Sequence, residues 1–271
     1  MGKFDGILIC TDLDGTLLRK DKTVSQENLS AIEYFKREGG SFTFITGRMP
    51  YYAMHICDAI KPNVPIGVSN GGGVYDHMAG TYIWTQALPN SAFALVKTVE
   101  DAFPMVGIHS NCFYDTYFTR YNPVIRHFQE ITNLPDLVRH YSEIEVPIAK
   151  IIFGIEDEET MQAVQRTILA HPLADDFAYI RSERTLLEVM PKGVDKGVAI
   201  CKIAEYLHTD KTIAIGDYHN DISMFQAAKV GIAVANACAE AKAAADRVTV
   251  SNEEHAIARV IANLESGMIR F

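Results

Sequence analysis

The strongest constraint on the fold is a rhythm of short apolar runs and amphipathic helices that stops in mid-chain and later resumes. Ile7-Leu8-Ile9-Cys10 is a run of the buried-strand type, cut off by Asp12 and Asp14. Ser25 is placed to cap a following helix, Leu29, Ile32 and Phe35 share one of its faces, and Gly39-Gly40 ends it. Residues 42–45 predict a second strand, 50–60 a helix and 66–69 a third strand. Gly71-Gly72-Gly73 then opens a hairpin through Tyr75 and Tyr82. Repeated β-α-β order predicts a parallel sheet covered by helices.

After Trp84 the order changes. A helix over 91–103 is followed by two adjacent strands, 106–109 and 113–118, a helix over 124–131 and a strand over 148–155. A helix at 158–169 and a strand pair at 178–181 and 186–189 complete the block. Antiparallel pairs mixed with helices predict an α+β layer of its own. From Lys196 the first rhythm returns: helix 197–207, strand 212–215, a helix from 221, strands 232–234 and 248–250, and a helix at 256–264. The expectation is an α/β fold with a Rossmann-like parallel-sheet core domain formed by 1–84 and 191–271. An α+β cap domain, 85–190, is inserted in its middle.

Composition narrows what such a chain can do. With 271 residues, 48% of them hydrophobic and 22% charged, there is ample apolar material for a core, and the length suits two domains or one larger one. A formal charge of −9 argues against nucleic acid as a partner. No apolar run has the length needed to span a bilayer, so no membrane partner is expected. Asp12 and Asp14 interrupt the first apolar segment, which denies it the character of a signal peptide. Position 6 is Gly6, where a myristoylation signal wants Ser or Thr. Cys10, Cys57, Cys112, Cys201 and Cys238 are odd in number and form no C-x-x-C pair, so they read as buried thiols of a reducing cytoplasm. Asn28-Leu29-Ser30 matches a glycosylation sequon, which has no meaning in that compartment.

In open parallel sheets, ligands bind beyond the carboxyl ends of the strands. Four polar clusters stand there: Asp12-Leu13-Asp14-Gly15-Thr16, Thr46-Gly47-Arg48, Asn70-Gly71-Gly72 and Gly216-Asp217-Tyr218-His219-Asn220-Asp221. Any one of them could be an ordinary turn. Together, Asp12, Asp14, Asp217 and Asp221 demand a cation, and hard oxygen ligands without Cys or His point to Mg²⁺. Thr46 with Gly47, and Lys196 at the start of a helix, are suited to hold phosphate oxygens. Arg48, Asn70 and Asn220 from the same clusters join them as candidate substrate contacts. The residues alone therefore suggest metal-assisted phosphoryl transfer.

The segments D-L-D-G-T at 12–16, I-T-G-R at 45–48, the Lys at 196 and G-D-Y-H-N-D at 216–221 resemble the haloacid dehalogenase superfamily. With N-G-G at 70–72 and the large insertion, the chain is similar to its Cof-type phosphatases with a type IIB cap. The resemblance implies that Asp12 is a nucleophile forming an aspartyl-phosphate, and that Asp14 serves as general acid and then general base. It further implies that Asp12, the Asp14 carbonyl and Asp217 hold Mg²⁺, with Asp221 and Asn220 supporting them, while Thr46 and Lys196 bind the phosphoryl group. Alternating residues of a strand face opposite ways, so the chain must break between Asp12 and Asp14, and Gly15 permits the break.

Other positions have plainer readings. Lys192 reads as a solvated linker charge, Asp195 as a helix cap and His219 as a solvated loop residue. Glu253-Glu254-His255 stands where the family usually has an acidic-Gly pair. In the cap, Lys150 and Glu188 read as a structural salt bridge or a pair facing the site. Phe113, Tyr114, Tyr117, Phe118 and Tyr121 read as core. The resulting expectation is Mg²⁺-dependent hydrolysis of a small phosphorylated metabolite. A sugar phosphate ranks first, ahead of pyridoxal phosphate or a flavin mononucleotide. A phosphomutase and a non-enzymatic phosphate-binding regulator are the rival readings.

Overall fold

The structure is a computed structural model that describes residues 2–271. The chain divides into two compact units. The first comprises residues 2–48, 53–84 and 195–271; the second comprises 49–52 and 85–194.

The first unit is built on a five-stranded, wholly parallel sheet. Its strands are β1 (Ile7–Thr11), β2 (Ser41–Phe44), β11 (Lys211–Gly216), β12 (Val230–Ala233) and β13 (Arg247–Val248), in the order β13-β12-β11-β1-β2. β1 lies between β11 and the edge strand β2 with every residue buried, pairing Ile9 with Ile213 on one side and with Phe42 on the other. Such a strand can only be apolar on both faces, which is why Ile7 to Cys10 shows no alternation. Helix α1 (Gln26–Arg37) is capped by Ser25, whose side chain accepts from the Asn28 N–H, and it buries Ile32 and Phe35. Asn28 of the apparent sequon is itself buried and accepts a hydrogen bond from the Ala258 N–H. Helices α6 (Lys196–Leu207), α7 (Ile222–Ala227), α8 (Ala239–Ala244) and α9 (Ala256–Glu265) complete this unit's helical cover. The short α8 was not foreseen from sequence; its run of alanines has no marked apolar face.

The third expected strand departs from the parallel reading. β3 (Ile66–Val68) pairs antiparallel with β4 (Gly73–Asp76), and with β5 (Thr81–Thr85) they form a separate three-stranded sheet. A single parallel bridge, Ile45 to Gly67, joins it to the end of β2. The hairpin opened by the glycines takes up the strand's remaining hydrogen-bonding edge.

The second unit is an antiparallel five-stranded sheet in the order β7-β6-β8-β10-β9. It comprises β6 (Gly107–Cys112), β7 (Thr116–Arg120), β8 (Ile148–Gly154), β9 (Phe177–Glu183) and β10 (Leu186–Pro191), with helices α3 (Ala92–Ala102), α4 (Pro123–Thr132) and α5 (Glu158–Leu169). Leu95, Val99, Met161 and Val164 form its core with Ile108, Ile151, Phe153 and Val189. Its limits differ from 85–190. β10 continues to Pro191, paired with Phe177, and the Val194 N–H donates to the Pro191 carbonyl, so the unit runs to 194. Residues 49–52, at the start of α2 (Pro50–Ile60), also group with it, and the Tyr51 hydroxyl is hydrogen-bonded to that of Thr116.

Lys150 and Glu188 face each other across β8 and β10, with Nζ 2.8 Å from Oε2 and both side chains almost wholly buried. The aromatic group is core only in part: Phe113 and Phe118 are buried, whereas Tyr114 is exposed. The cysteines divide in the same way, with Cys10, Cys57 and Cys112 buried, Cys238 half-buried and Cys201 exposed. Among the described residues, no helix is long and apolar enough to cross a membrane.

Candidate active site

The carboxyl ends of β1 and β11 bring the acidic clusters together. β1 stops at Thr11, and the Asp12 N–H still donates to the Ile215 carbonyl at 2.8 Å, which anchors Asp12 at the sheet edge. The chain then turns sharply: Leu17 N–H reaches back to the Asp12 carbonyl and Leu18 N–H to that of Leu13. Gly15 takes a φ of +82°, and a Cβ placed on it would fall 2.5 Å from Asp217 Oδ2. Only glycine fits both the left-handed backbone and that approach.

At the centre is a buried ion-pair cluster. Lys196, 1% exposed, extends from the first turn of α6 and contacts Asp12 Oδ1 and Asp221 Oδ1, each at 2.6 Å. Asp221 is fully buried, and its other oxygen accepts the N–H groups of Asp217 (2.8 Å) and Tyr218 (3.0 Å). Both Asp221 oxygens are therefore engaged by the protein, so Asp221 shapes the 217–221 loop and positions Lys196, in place of the metal contact expected of it. Asp217 Oδ1 accepts the Thr16 hydroxyl at 2.8 Å. One carboxylate oxygen from each of Asp12, Asp217 and Asp221 lies within 4.8 Å of the others.

Three carboxylates face a single ammonium there, leaving two negative charges in a largely dehydrated place. Desolvation pushes Asp12 up to about 7, with Asp221 and Asp217 adding to the rise and Lys196 opposing it. Asp217 is pushed up to about 6, again chiefly by desolvation and then by Asp221. The donor set, all hard oxygen and short of two positive charges, fits a divalent cation such as Mg²⁺.

Asp14 stands apart from this cluster. Its carboxylate is gripped by Arg48, with contacts at 2.8, 2.9 and 3.1 Å, and by Lys22 at 2.7 Å. Partial burial works to raise its pKa, but the two cations outweigh that and hold it below the usual carboxylate range. The Asp14 side chain is accordingly not placed as a metal ligand. Arg48, expected among the substrate contacts, is here the partner of Asp14.

The remaining candidates lie on neighbouring turns. Thr46 is buried and its Oγ1 accepts the Arg48 N–H at 3.3 Å. Asn70, in a left-handed conformation with φ of +51°, accepts from Asn220 Nδ2 at 3.1 Å and donates its backbone N–H to the Thr46 carbonyl. A Cβ on Gly47 would lie 3.0 Å from the Asn70 amide, so these two turns are closely packed. Gly71, with φ of +97°, lies so near Asp195 that a Cβ would overlap its carbonyl oxygen. Asp195 caps α6 by accepting the Val198 N–H at 3.0 Å, and Lys192 is exposed.

Two asparagines were missed. Asn236 Nδ2 holds the Gly15 carbonyl at 2.7 Å, while its Oδ1 accepts the Asn252 N–H; Asn252 in turn donates to the Leu18 carbonyl. They brace the turn carrying Asp12 and Asp14 at its Gly15 and Leu18 carbonyls. The strand-end rule applied to Val234-Ala235-Asn236 would have found the first. Past Asn252, His255 occupies the left-handed position, with φ of +63°, that a glycine would take at less cost. The Ser251–Glu254 capping box fixes that turn.

An α/β core with a central parallel sheet, a carboxylate–lysine centre at its carboxyl edge and an α+β insertion define a class of enzyme. Residues 9–261 match the family model of haloacid dehalogenase-like hydrolases, and the chain belongs to that family. A haloacid dehalogenase-like hydrolase from Bacteroides thetaiotaomicron shares the fold with a TM-score of 0.82 at 24% identity, over 95% of this chain and 99% of that one. The subclass IIB sugar phosphatase BT4131 shares it with a TM-score of 0.81 at 20% identity, over 97% and 100%. In sequence, the chain is 26% identical over 264 residues to the 5-amino-6-(5-phospho-D-ribitylamino)uracil phosphatase YitU of Bacillus subtilis, covering 94% of this chain and 96% of the relative.

Proposed function

We propose that the protein is a Mg²⁺-dependent phosphatase of small phosphate monoesters, with sugar or polyol phosphates as the substrate class and an aspartyl-phosphate on Asp12 as intermediate. The observation that carries the reading is the buried Asp12–Lys196–Asp221 cluster beside Asp217, which holds two more negative charges than positive ones. The names of the relatives support the substrate class: one acts on a phosphorylated ribityl compound, another is called a sugar phosphatase.

Asp12 and Asp217 would hold Mg²⁺, which when bound offsets the carboxylate charge and that of the incoming phosphate. The residues of the chain then have separable tasks. Lys196 fixes the Asp12 carboxylate and keeps a positive charge next to the attacking group. Asp12 attacks phosphorus as the alkoxide leaves, and Asp14 supplies the proton that the leaving oxygen needs. Arg48 and Lys22 favour the ionised form of Asp14. Its acid role therefore requires those contacts to loosen when substrate arrives. Its base role, taking a proton from water in the second half-reaction, suits the carboxylate as it stands. Thr46, Gly47, Asn70 and Asn220 border the centre and are assigned to the phosphoryl group and the loop around it.

A screen of phosphorylated sugars and polyols, reading free phosphate against isomerised product, tests the proposal. Release of free phosphate should require Mg²⁺ and disappear in Asp12→Asn, whose amide keeps the shape but cannot attack phosphorus. Isomerised product without free phosphate would assign a phosphomutase.

A further inference from the structure

The loop that carries Asp217 has a second group of ligand-bearing side chains beside it. His219 follows Asp217 by two residues, Cys238 is the cap of α8, and Glu240 lies in that helix's first turn. The backbone ties these segments together, since the Cys238 N–H donates to the Asp217 carbonyl at 2.9 Å. His219 Nε2 lies 3.6 Å from Glu240 Oε2, and the Cys238 thiol faces the same carboxylate. One donor atom from each of the three falls within 4.8 Å of the other two. His219 and Glu240 are exposed and Cys238 is half-buried, so an ion from solvent can reach all three.

We propose that His219, Cys238 and Glu240 form a second cation site, selective for a borderline-soft divalent ion such as Zn²⁺. The donor set is one imidazole nitrogen, one sulfur and one carboxylate oxygen, which is the chemistry of zinc and not of Mg²⁺. In a tetrahedral zinc site, bond lengths of about 2.0–2.3 Å place neighbouring ligand atoms about 3.3–3.7 Å apart. The His219–Glu240 separation already falls in that range, and Cys238 need close by no more than about an ångström. Three protein ligands leave a fourth position for water. The site lies within the first unit and does not depend on the phosphatase reading. Occupancy would join α8 to the 217–221 loop through side chains as well as through the backbone.

The probe is Co²⁺, titrated into the full chain in saturating Mg²⁺, because an all-oxygen centre gives no sulfur-to-cobalt charge-transfer band. One equivalent should produce that band, and Zn²⁺ should abolish it. Cys238→Ser should remove it, and His219→Ala and Glu240→Gln should each weaken binding at least tenfold. Cys201→Ser, at the exposed cysteine, should leave it unchanged. Absence of the band in the wild-type chain, its survival in Cys238→Ser, or its loss in Cys201→Ser would overturn the proposal. A measurement free of any variant stands beside it: Zn²⁺ should slow alkylation of Cys238, located by peptide mass mapping. An unchanged alkylation rate would contradict the site.

Discussion

The Asp12 centre should exchange protons for metal, and the size of that exchange follows from its burial. Asp12 moves from an ordinary 3.8 to about 7 in the folded chain, and Asp217 from 3.8 to about 6. Both bind a proton more tightly folded than unfolded, so the stability this confers is complete below about pH 4. It is lost as pH rises through 6 and then 7. For the buried Asp12 alone, about three pH units correspond to about 4 kcal/mol at most. Metal-free protein should therefore unfold more easily at pH 8 than at pH 5. Mg²⁺ must displace the same protons, so its affinity should rise by up to about three orders of magnitude between pH 5 and pH 8. Calorimetric titration of Mg²⁺ in buffers of different ionisation enthalpy reads the protons directly. Nearly two should be released at pH 5 and almost none at pH 8. A release that is zero at pH 5, or independent of pH, would refute the reasoning.

Two substitutions test the frame around the centre. Gly15→Ala puts a Cβ 2.5 Å from Asp217 Oδ2 on a left-handed backbone, so Mg²⁺ affinity should fall about 10- to 100-fold. Denaturant unfolding should change by only about 1–2 kcal/mol. In the inserted unit, Lys150→Met leaves the Glu188 carboxylate buried without its ammonium and should cost about 3–5 kcal/mol. The double variant Lys150→Met/Glu188→Leu should recover most of that loss in the same unfolding assay.

The parallel core was legible because its strands are buried on both faces and its helices carry their own stop signals. β1 and α1 follow directly from an unbroken apolar run and from Ser25 and Gly39-Gly40. The strand at 66–69 meets the end of β2 in the expected parallel direction at one bridge, Ile45 to Gly67, but its main pairing is antiparallel with β4, which a three-residue apolar segment has no periodicity to reveal. α8 escaped because alanine-rich segments carry propensity without a hydrophobic face. The acidic residues of the site were visible as chemistry: carboxylates at the ends of strands. Their division of labour was not. Nothing in the order of residues tells that Asp221 spends both oxygens on Lys196 and two backbone N–H groups, or that Arg48 folds back onto Asp14. These depend on where side chains meet once separate loops converge, across 25 residues for Lys196 and Asp221, 34 for Asp14 and Arg48, and 150 for Asn70 and Asn220. Asn236 and Asn252 brace the Asp12 turn from equally remote positions.

The central claim is that Asp12 carries the phosphoryl group. Asp14→Asn, mixed with a nitrophenyl phosphate and Mg²⁺, should complete the first half-reaction, because that leaving group needs little acid assistance. It should then stall before hydrolysis. Rapid acid quench followed by borohydride reduction converts an aspartyl-phosphate to homoserine, which peptide mass mapping can place. The account predicts homoserine at position 12, in near-stoichiometric amount and absent from Asp12→Asn/Asp14→Asn. Steady release of nitrophenol with no trapped residue, or homoserine at any other position, would contradict it.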